Sequence, residues 1–572
     1  MRRARPLLLG LLGTLAAAFI LRVVLDRPRA VVGDPPADGY TRVAGVVHVH
    51  TTFSDGGGTP AEVVAAARGA GLGFVAITDH NNLDAKSAEG YAEGVLVLVG
   101  TELSTTAGHI LVLGIPDPVF RFSGDARDGL EDARDLGGVA FAAHPLSARD
   151  DLRWTGWDLP GSWGLELLNG DSEWRSAGSW RLLRTAALYG LNRRRALLGS
   201  LQPPAATLAR WDALLAERDV PGIVGADAHS RVPVRKGWAP RFPSYEALFT
   251  VAREHVLLEE PLTGDAAADG RAIVEALGRG RAYVGLDALA TADGFSFVAE
   301  SGGRRATMGE TVPPDPAPVL RAGGRLPAGA RLRLLRDGRL LKEDEGRLEQ
   351  TAPGPGVYRV EVFVPGRDVP WVLSNPIYVF DETARRARAA RAAWPAEPPA
   401  PPPAQVLDDF EGRTIFAPEF DSSSAVDENV RAPGAGPGGR TAGRLAFRLG
   451  APGPGRPYTW CALVNRQARD LSGRTGLSFA IRADGVYRLW VQVRDENPAS
   501  ADEGTEWWFA SVRTSPDWRR VAVPFARFRS INKRTDGRLD LDKVRQLVFV
   551  LDPAAVKPGT SGTIWLDDVG AY

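Results

Sequence analysis

Residues 45–56 read GVVHVHTTFSDG. His48 and His50 stand two apart in an apolar run, and Asp55 follows in a Ser-Asp-Gly turn. Side chains alternate along an extended strand, so both imidazoles point to one face at its C-terminal end. Two imidazoles so placed can bind one metal ion. The habit recurs in later motifs: AITDHN at 76–81, GTELSTTAGHILVLG at 100–114, AAHP at 142–145 and GADAHS at 225–230. These motifs hold six of the chain's seven histidines. One histidine alone reads as structural, whereas a series of candidate ligands at successive strand ends reads as a site.

The apolar runs GVVHVH, GFVAITD, VLVLVG, HILVLG, GGVAFAAH, WGLELL and GIVGAD read as buried strands, with helices between several of them. One helix, AEVVAAARGA, carries a capping box of Thr59 and Glu62, Pro60 at its first position and Gly71 to stop it. Strands alternating with helices argue for a parallel sheet or barrel, and barrels place active sites at strand C-termini. His109 begins its strand, so the pattern supports it less. VLLEEPLT and the helix near Ala272–Leu277 complete this domain, which we set at residues 40–290.

At 572 residues the chain exceeds one core. The net charge is zero, and no nucleic-acid-binding signature is present. The single cysteine, Cys461, excludes an intramolecular disulfide and a cysteine-rich zinc site. Residues 1–39 hold MRRAR and then a mostly apolar run ending in AAAFILRVV, close to the length that spans a bilayer. We expect an uncleaved anchor that leaves the body outside the cytoplasmic membrane, with secretion after signal cleavage as the alternative. Residues 291–382 read as a small β-sandwich, in which RLRLLRDGRLL forms a hairpin across Asp337-Gly338. Residues 383–404 read as a solvated basic helix and a proline-rich linker. Residues 405–572 read as a second sandwich carrying Trp460, Trp490, Trp507, Trp508, Trp518 and Trp565, at least half of them expected in its core.

The region from Val46 to Ser230 resembles the PHP (polymerase and histidinol phosphatase) domain in its stand-alone metal-dependent phosphoesterase branch. The resemblance implies a distorted seven-stranded (β/α) barrel, here followed by two all-β sandwich domains, and up to three divalent ions (Zn, Mn or Fe). It implies that His48, His50, Glu102 and Asp227 share one ion, that Glu102 bridges to a second held by His109 and His144, and that Asp55, His80 and His229 hold a third. Asp55, His80, Glu102 and His229 are the expected catalytic residues. The sandwiches are similar to immunoglobulin-like and galactose-binding-like modules of the carbohydrate-binding type. The latter likeness makes Asp409, Glu411 and Asp568 candidates for a structural calcium, and exposed tryptophan a candidate for sugar.

These readings converge on a hydrolase that activates water on metal ions to cleave a phosphate ester, in a phosphorylated small molecule or an envelope polymer. An amide hydrolase and a glycan- or surface-binding protein with a scaffold barrel are the alternatives. Asp79 reads as a residue orienting a ligand histidine or as a strand cap. Arg231 and Lys236 are candidates for phosphate contact or surface charge, Asn169 is a further substrate candidate, and His255 reads as structural.

Overall fold

The computed structural model describes residues 4–172, 178–232, 239–456, 458–500, 504–532 and 534–572, with side chains from Thr14 onward. Two compact units result, one of residues 1–116 and 124–395, the other of 117–123 and 396–572.

The first unit is built on a closed barrel. Its staves are β1 (Thr41–Val49), β2 (Phe74–Ile77), β3 (Val95–Val99) continued by β4 (Thr101–Thr105), β5 (Gly108–Leu113), β6 (Val139–Ala142), β7 (Gly164–Asn169) and β8 (Gly222–Ala228). Neighbours are parallel around the ring, except that β5 runs antiparallel to both β4 and β6. The all-parallel expectation therefore fails at β5. The reason is connection length: a parallel neighbour needs a crossover of a dozen or more residues, and only Thr106 and Ala107 separate β4 from β5. β3 and β4 form one stave bent at Gly100, where a Cβ would meet the Val112 carbonyl oxygen at 2.1 Å.

The helix Pro60–Gly69 starts at Thr59 with the expected reciprocal capping bonds to Glu62. The helix Ala266–Arg279 buries Ile273, Val274, Ala276 and Leu277 in one apolar cluster with Phe74, Leu96, Leu111 and Phe141 of the staves. Strand β9 (Arg253–Leu258) lies antiparallel to β1 and pairs with β10 (Ala282–Gly285). β10 in turn pairs with Val372–Ser374, so the sheet runs on into the strands of the small sandwich. That sandwich pairs Arg331–Arg336 with Arg339–Glu345 across Asp337 and Gly338, both at positive φ, as the hairpin reading requires. Its other sheet orders Arg304–Thr307, Phe295–Ser301, Val319–Gly324 and Leu348–Thr351.

The helix Glu382–Ala392 departs from the solvated-linker expectation. Arg388 is buried, paired with Asp219 at 2.8 Å and donating to the Leu215 carbonyl at 2.8 Å, with its guanidinium over Phe380. Trp394 continues the docked face and carries Arg134 over its ring at 4.7 Å. Alanine and arginine dominate this helix, and arginine stems pack on apolar surface as readily as they solvate.

At the N-terminus, Ala4–Val24 form one helix. Among the described residues no helix is long and apolar enough to cross a membrane; positions 1–13, where the apolar run begins, lie outside the described side chains.

The second unit is an antiparallel sandwich. One sheet is ordered Ala425–Val426, Ala442–Arg448, Ser561–Ala571, Gly476–Ala483 and Arg519–Pro524; the other runs from Ala417–Phe420 through Cys461–Asn465, Val544–Leu551, Arg488–Glu496 and Thr505–Arg513 to Arg529–Ser530. Phe416, Phe479 and Phe549 pack together in its core. Two expectations change here. Only Trp508 of the six tryptophans is buried, and the rest are half-buried, because Val, Leu and Phe fill the facing sides of the sheets. The calcium candidates also find other partners: Asp568 is held by Arg440 at 3.0 Å and Arg520 at 2.8 Å, and Glu411 accepts the Thr441 N–H. Two guanidinium groups supply the positive charge that a cation would have brought.

Candidate metal centre

All nine predicted ligands meet at one mouth of the barrel. β1 delivers His48 and His50, and its following loop delivers Asp55; His80 follows β2, and β4 carries Glu102. β5 is reversed, so its beginning lies where the other staves end, and His109 faces the same mouth. His144 follows β6, while Asp227 and His229 come from the end of β8.

β1 and β8 are not regular strands at this point. His48 has φ 66 and Asp227 φ 48, and the pairing register of β1 and β8 shifts beside both. His144 also sits at positive φ, 30. Non-glycine residues held there cost about 1–3 kcal/mol each and persist where the surroundings over-determine them. The two-residue spacing thus converges through a kink rather than through simple alternation.

Glu102 is the hub, and its two oxygens face different groups. Oε2 lies 3.2 Å from His48 Nε2, 3.2 Å from His50 Nε2 and 3.1 Å from His80 Nδ1. Oε1 lies 2.7 Å from His109 Nδ1 and 3.0 Å from His144 Nε2. Asp227 Oδ1 stands 3.3 Å from both His48 Nε2 and His50 Nε2. His50, Asp55, His80 and His229 make a further group, with Asp55 Oδ1 3.2 Å from His229 Nε2.

The 3.1–3.3 Å separations around Glu102 Oε2 and Asp227 Oδ1 suit a metal ion, while Oε1 hydrogen-bonds the His109 and His144 rings. A tetrahedral ion with ligands at about 2.0–2.1 Å holds them roughly 3.3–3.4 Å apart. Burial without satisfaction is the second sign. His48 Nε2, His50 Nε2, His80 Nδ1 and Glu102 Oε2 are buried and have no hydrogen-bond partner. Orphaned buried polar atoms are rare in a fold, and four of them aimed at one point call for a ligand. The donor set is nitrogen and oxygen, which fits zinc, manganese or iron.

The electrostatics agree. Burial opposes charge on Glu102 and Asp227, yet the surrounding histidines hold both carboxyls well below their ordinary range. Burial likewise opposes charge on His48, but Asp227, Glu166 and Glu102 carry it well above its usual value. His229, also desolvated, rises to about 9 through Asp55 and Asp227. His80 moves the other way, lowered mainly by burial. The carboxylates are thus ionised among these imidazoles.

A second layer holds the ligands. Glu166, buried in the middle of β7, accepts at 2.6 Å from His48 Nδ1 and from the His144 backbone N–H, also at 2.6 Å. The first bond fixes the tautomer that leaves His48 Nε2 free to ligate. Gly225 makes room for it, since a Cβ there would meet the Glu166 carboxylate. Tyr245 donates its hydroxyl to the His50 carbonyl at 2.7 Å and accepts the Gly58 N–H. Neither residue was read from the sequence, although an acid inside the apolar run WGLELL was a visible signal. Asp79 holds a loop rather than a histidine: it accepts from Thr51 N–H, Thr51 Oγ1 and Ser54 Oγ at 2.5–2.7 Å, fixing the turn that carries Asp55.

Other candidates separate. Asn169 is buried and donates to Glu166 at 2.9 Å, so it serves the second layer and not a substrate. Arg231 is exposed beside the Asp55 backbone and lines a cavity of about 100 Å³ with Asp227, His229, Leu197, Leu201 and Phe242. Lys236 lies outside the described residues. His255 is buried, bonded to Asp287 at 3.0 Å and stacked on Tyr283, the structural role expected.

The family profile described as PHP domain matches residues 47–123, the stretch holding His48 through His109. An uncharacterised protein of Methanocaldococcus jannaschii is 30% identical over 116 residues, which covers 18% of this chain and 67% of that protein. This chain belongs to the PHP domain family. Among solved structures it is similar to a two-domain protein of Bacteroides vulgatus described as containing a predicted PHP-like metal-dependent phosphoesterase. That match has 17% identity, covers 61% of this chain and 99% of that one, and has a TM-score of 0.30. A family 11 carbohydrate-binding module from Clostridium thermocellum is 20% identical over 29% of this chain and 94% of its own, with a TM-score of 0.24. The PHP match ends before His144, Asp227 and His229, which the fold brings to the same mouth.

Proposed function

We propose that the protein is a metal-dependent phosphoesterase. The observation that carries the reading is Glu102, whose two oxygens face separate groups of nitrogen donors and so suit a bridge between two ions. His48, His50 and Asp227 would hold one ion with Glu102, His109 and His144 a second, and Asp55, His80 and His229 a third. Ions in such a set supply a hydroxide near neutral pH and neutralise charge on phosphate oxygens.

The chain's own residues supply orientation and access. Glu166 and the kinked staves keep the imidazoles of His48 and His144 in place without help from substrate. Asp55 is about half exposed and His80 a quarter exposed, so a substrate meets this group first. The cavity beside Asp227 and His229 gives the organic part of the substrate a place to lie. The substrate is a phosphorylated small molecule or an envelope polymer. The apolar N-terminal helix keeps the enzyme in the cell membrane with its body outside, and the half-buried tryptophans of the second unit offer faces for glycan.

The test is a screen of phosphomonoesters, phosphodiesters and amides with added manganese or zinc, run on the full chain and on His48→Ala. Phosphoester turnover lost in the variant supports the proposal. Cleavage of amides alone, or turnover indifferent to His48, overturns it.

A further inference from the structure

A second surface of the first unit carries features that the metal centre does not explain. The helix Ser179–Tyr189 buries Thr185 and Leu188 but turns Trp180 and Leu183 outward, 75% and 61% exposed. With Ala187 they fall at i, i+3 and i+7, a single outward stripe on the helix, and Leu191 is exposed just past its end. Arg181, Arg184 and Arg193 are exposed beside it. A soluble helix normally turns its apolar side inward, so an outward stripe of tryptophan and leucine flanked by arginine needs a partner.

The place of this helix names the partner. Val23, in the last turn of the N-terminal helix, is fully buried against Leu188, Ala196 and Tyr189. Asn192 donates to the carbonyls of Val23 and Asp26, each at 3.0 Å. Arg194 and Arg195 pair with Asp26 at 2.7 and 2.8 Å. The stripe is therefore clamped beside the end of a helix that itself exposes Leu15, Phe19, Ile20 and Leu21 and carries Arg22 in its last turn. Exposed apolar side chains on two helices joined at Val23, with arginine beside them, match the depth profile of a bilayer edge: tails, then anionic headgroups.

We propose that the outward face of the helix Ser179–Tyr189, with Leu191, lies on an anionic lipid surface and fixes the orientation of the barrel on the membrane. The inference rests on the membrane reading of the N-terminal helix. It adds a second contact, made by the catalytic unit itself. The next helix, Arg193–Leu198, lends Leu197 to the cavity beside Asp227 and His229, so the contact adjoins the wall of the substrate space.

The test uses the full chain with Cys461→Ser and one new cysteine carrying an environment-sensitive fluorophore, reconstituted in vesicles of phosphatidylcholine and phosphatidylglycerol. Leu183→Cys is the test position, and Leu340→Cys, at 58% exposure in the small sandwich, is the control. Leu15→Cys reports the N-terminal helix. The Leu183 label should shift to the blue and lose iodide quenching about five-fold, as insertion below the headgroups implies, while the Leu340 label stays as in solution. Equal quenching at Leu183 and Leu340 overturns the inference, as does protection that persists in pure phosphatidylcholine. Protection in lipid-free detergent that rises with protein concentration assigns the stripe to a second copy, and overturns it too. With Leu15 protected and Leu183 quenched, the anchor stands and the second contact falls; with Leu15 also quenched, the anchor reading falls with it.

Discussion

At the barrel mouth, Glu102 and Asp227 stand among imidazoles of which His48 Nε2, His50 Nε2 and His80 Nδ1 have no hydrogen-bond partner, whereas in the second unit Asp567 and Asp568 are met by Arg440 and Arg520. Both places gather carboxylates, and in both the sequence suggested a cation. The difference lies in what the chain supplies. Guanidinium groups supply the charge that neutralises the second cluster from within the chain. Histidines can offer lone pairs where arginine cannot, so the first cluster is one that could hold a metal ion.

The comparison can be broken most forcefully at its hub. Glu102→Gln keeps the shape and weakens the bridge, and kcat/KM toward a phosphoester should fall more than about 10³-fold, the scale expected when residues act as a unit. Steady-state kinetics at saturating metal checks this, and a fall under ten-fold would deny Glu102 its role. Glu166→Gln touches no substrate but loosens His48, and about 10–100-fold lower metal affinity is expected with the fold intact. Titration of metal into the apo-protein would expose an unchanged affinity.

A third prediction concerns Glu254, a carboxyl buried next to this apparatus. Burial raises its pKa to about 8, and it accepts the Val224 N–H that the bulge in β8 leaves unpaired. Its folded pKa lies above the ordinary 4.5, so its contribution to stability is full below that value and is lost as pH rises toward and through 8. Chemical denaturation across this window should show stability falling with pH, and Glu254→Gln should flatten the slope. A slope unaltered by the substitution would assign the loss to other groups.

The smallest effect belongs to the arginine-filled cluster. Arg440→Ala leaves the buried Asp567 short of a partner, but Arg440 is itself 41% exposed, so the loss should be about 1 kcal/mol. Added calcium should leave the melting temperature of the native protein unchanged, and a clear rise would reopen the ion-site reading of Asp409, Glu411 and Asp568.

The convergence of the nine candidate ligands was legible because metal chemistry restricts residue type and barrel geometry restricts position, and both leave marks in a linear sequence. The same logic undervalued His109, since it assumed that every stave runs the same way; the short Thr106-Ala107 link was the overlooked sign. Glu166 and Tyr245 were invisible to motif reading because their partners, His48, His144 and the His50 carbonyl, are distant in the chain and share no spacing with them. The strands of both sandwiches followed from alternation. How their tryptophans divide between core and surface did not, for alternation says which residues share a face and not which face is covered. The docked helix Glu382–Ala392 was hidden for a related reason: an arginine's sequence position does not tell whether its stem packs or solvates.

The central claim is that Glu102 joins two ion sites at this mouth, and the metal-to-protein ratio of the purified full chain tests it most directly. Elemental analysis after manganese or zinc loading should give at least two ions per chain in the native protein and no more than one in Glu102→Gln. A ratio near zero in the native protein, or one that the substitution leaves unchanged, would contradict it.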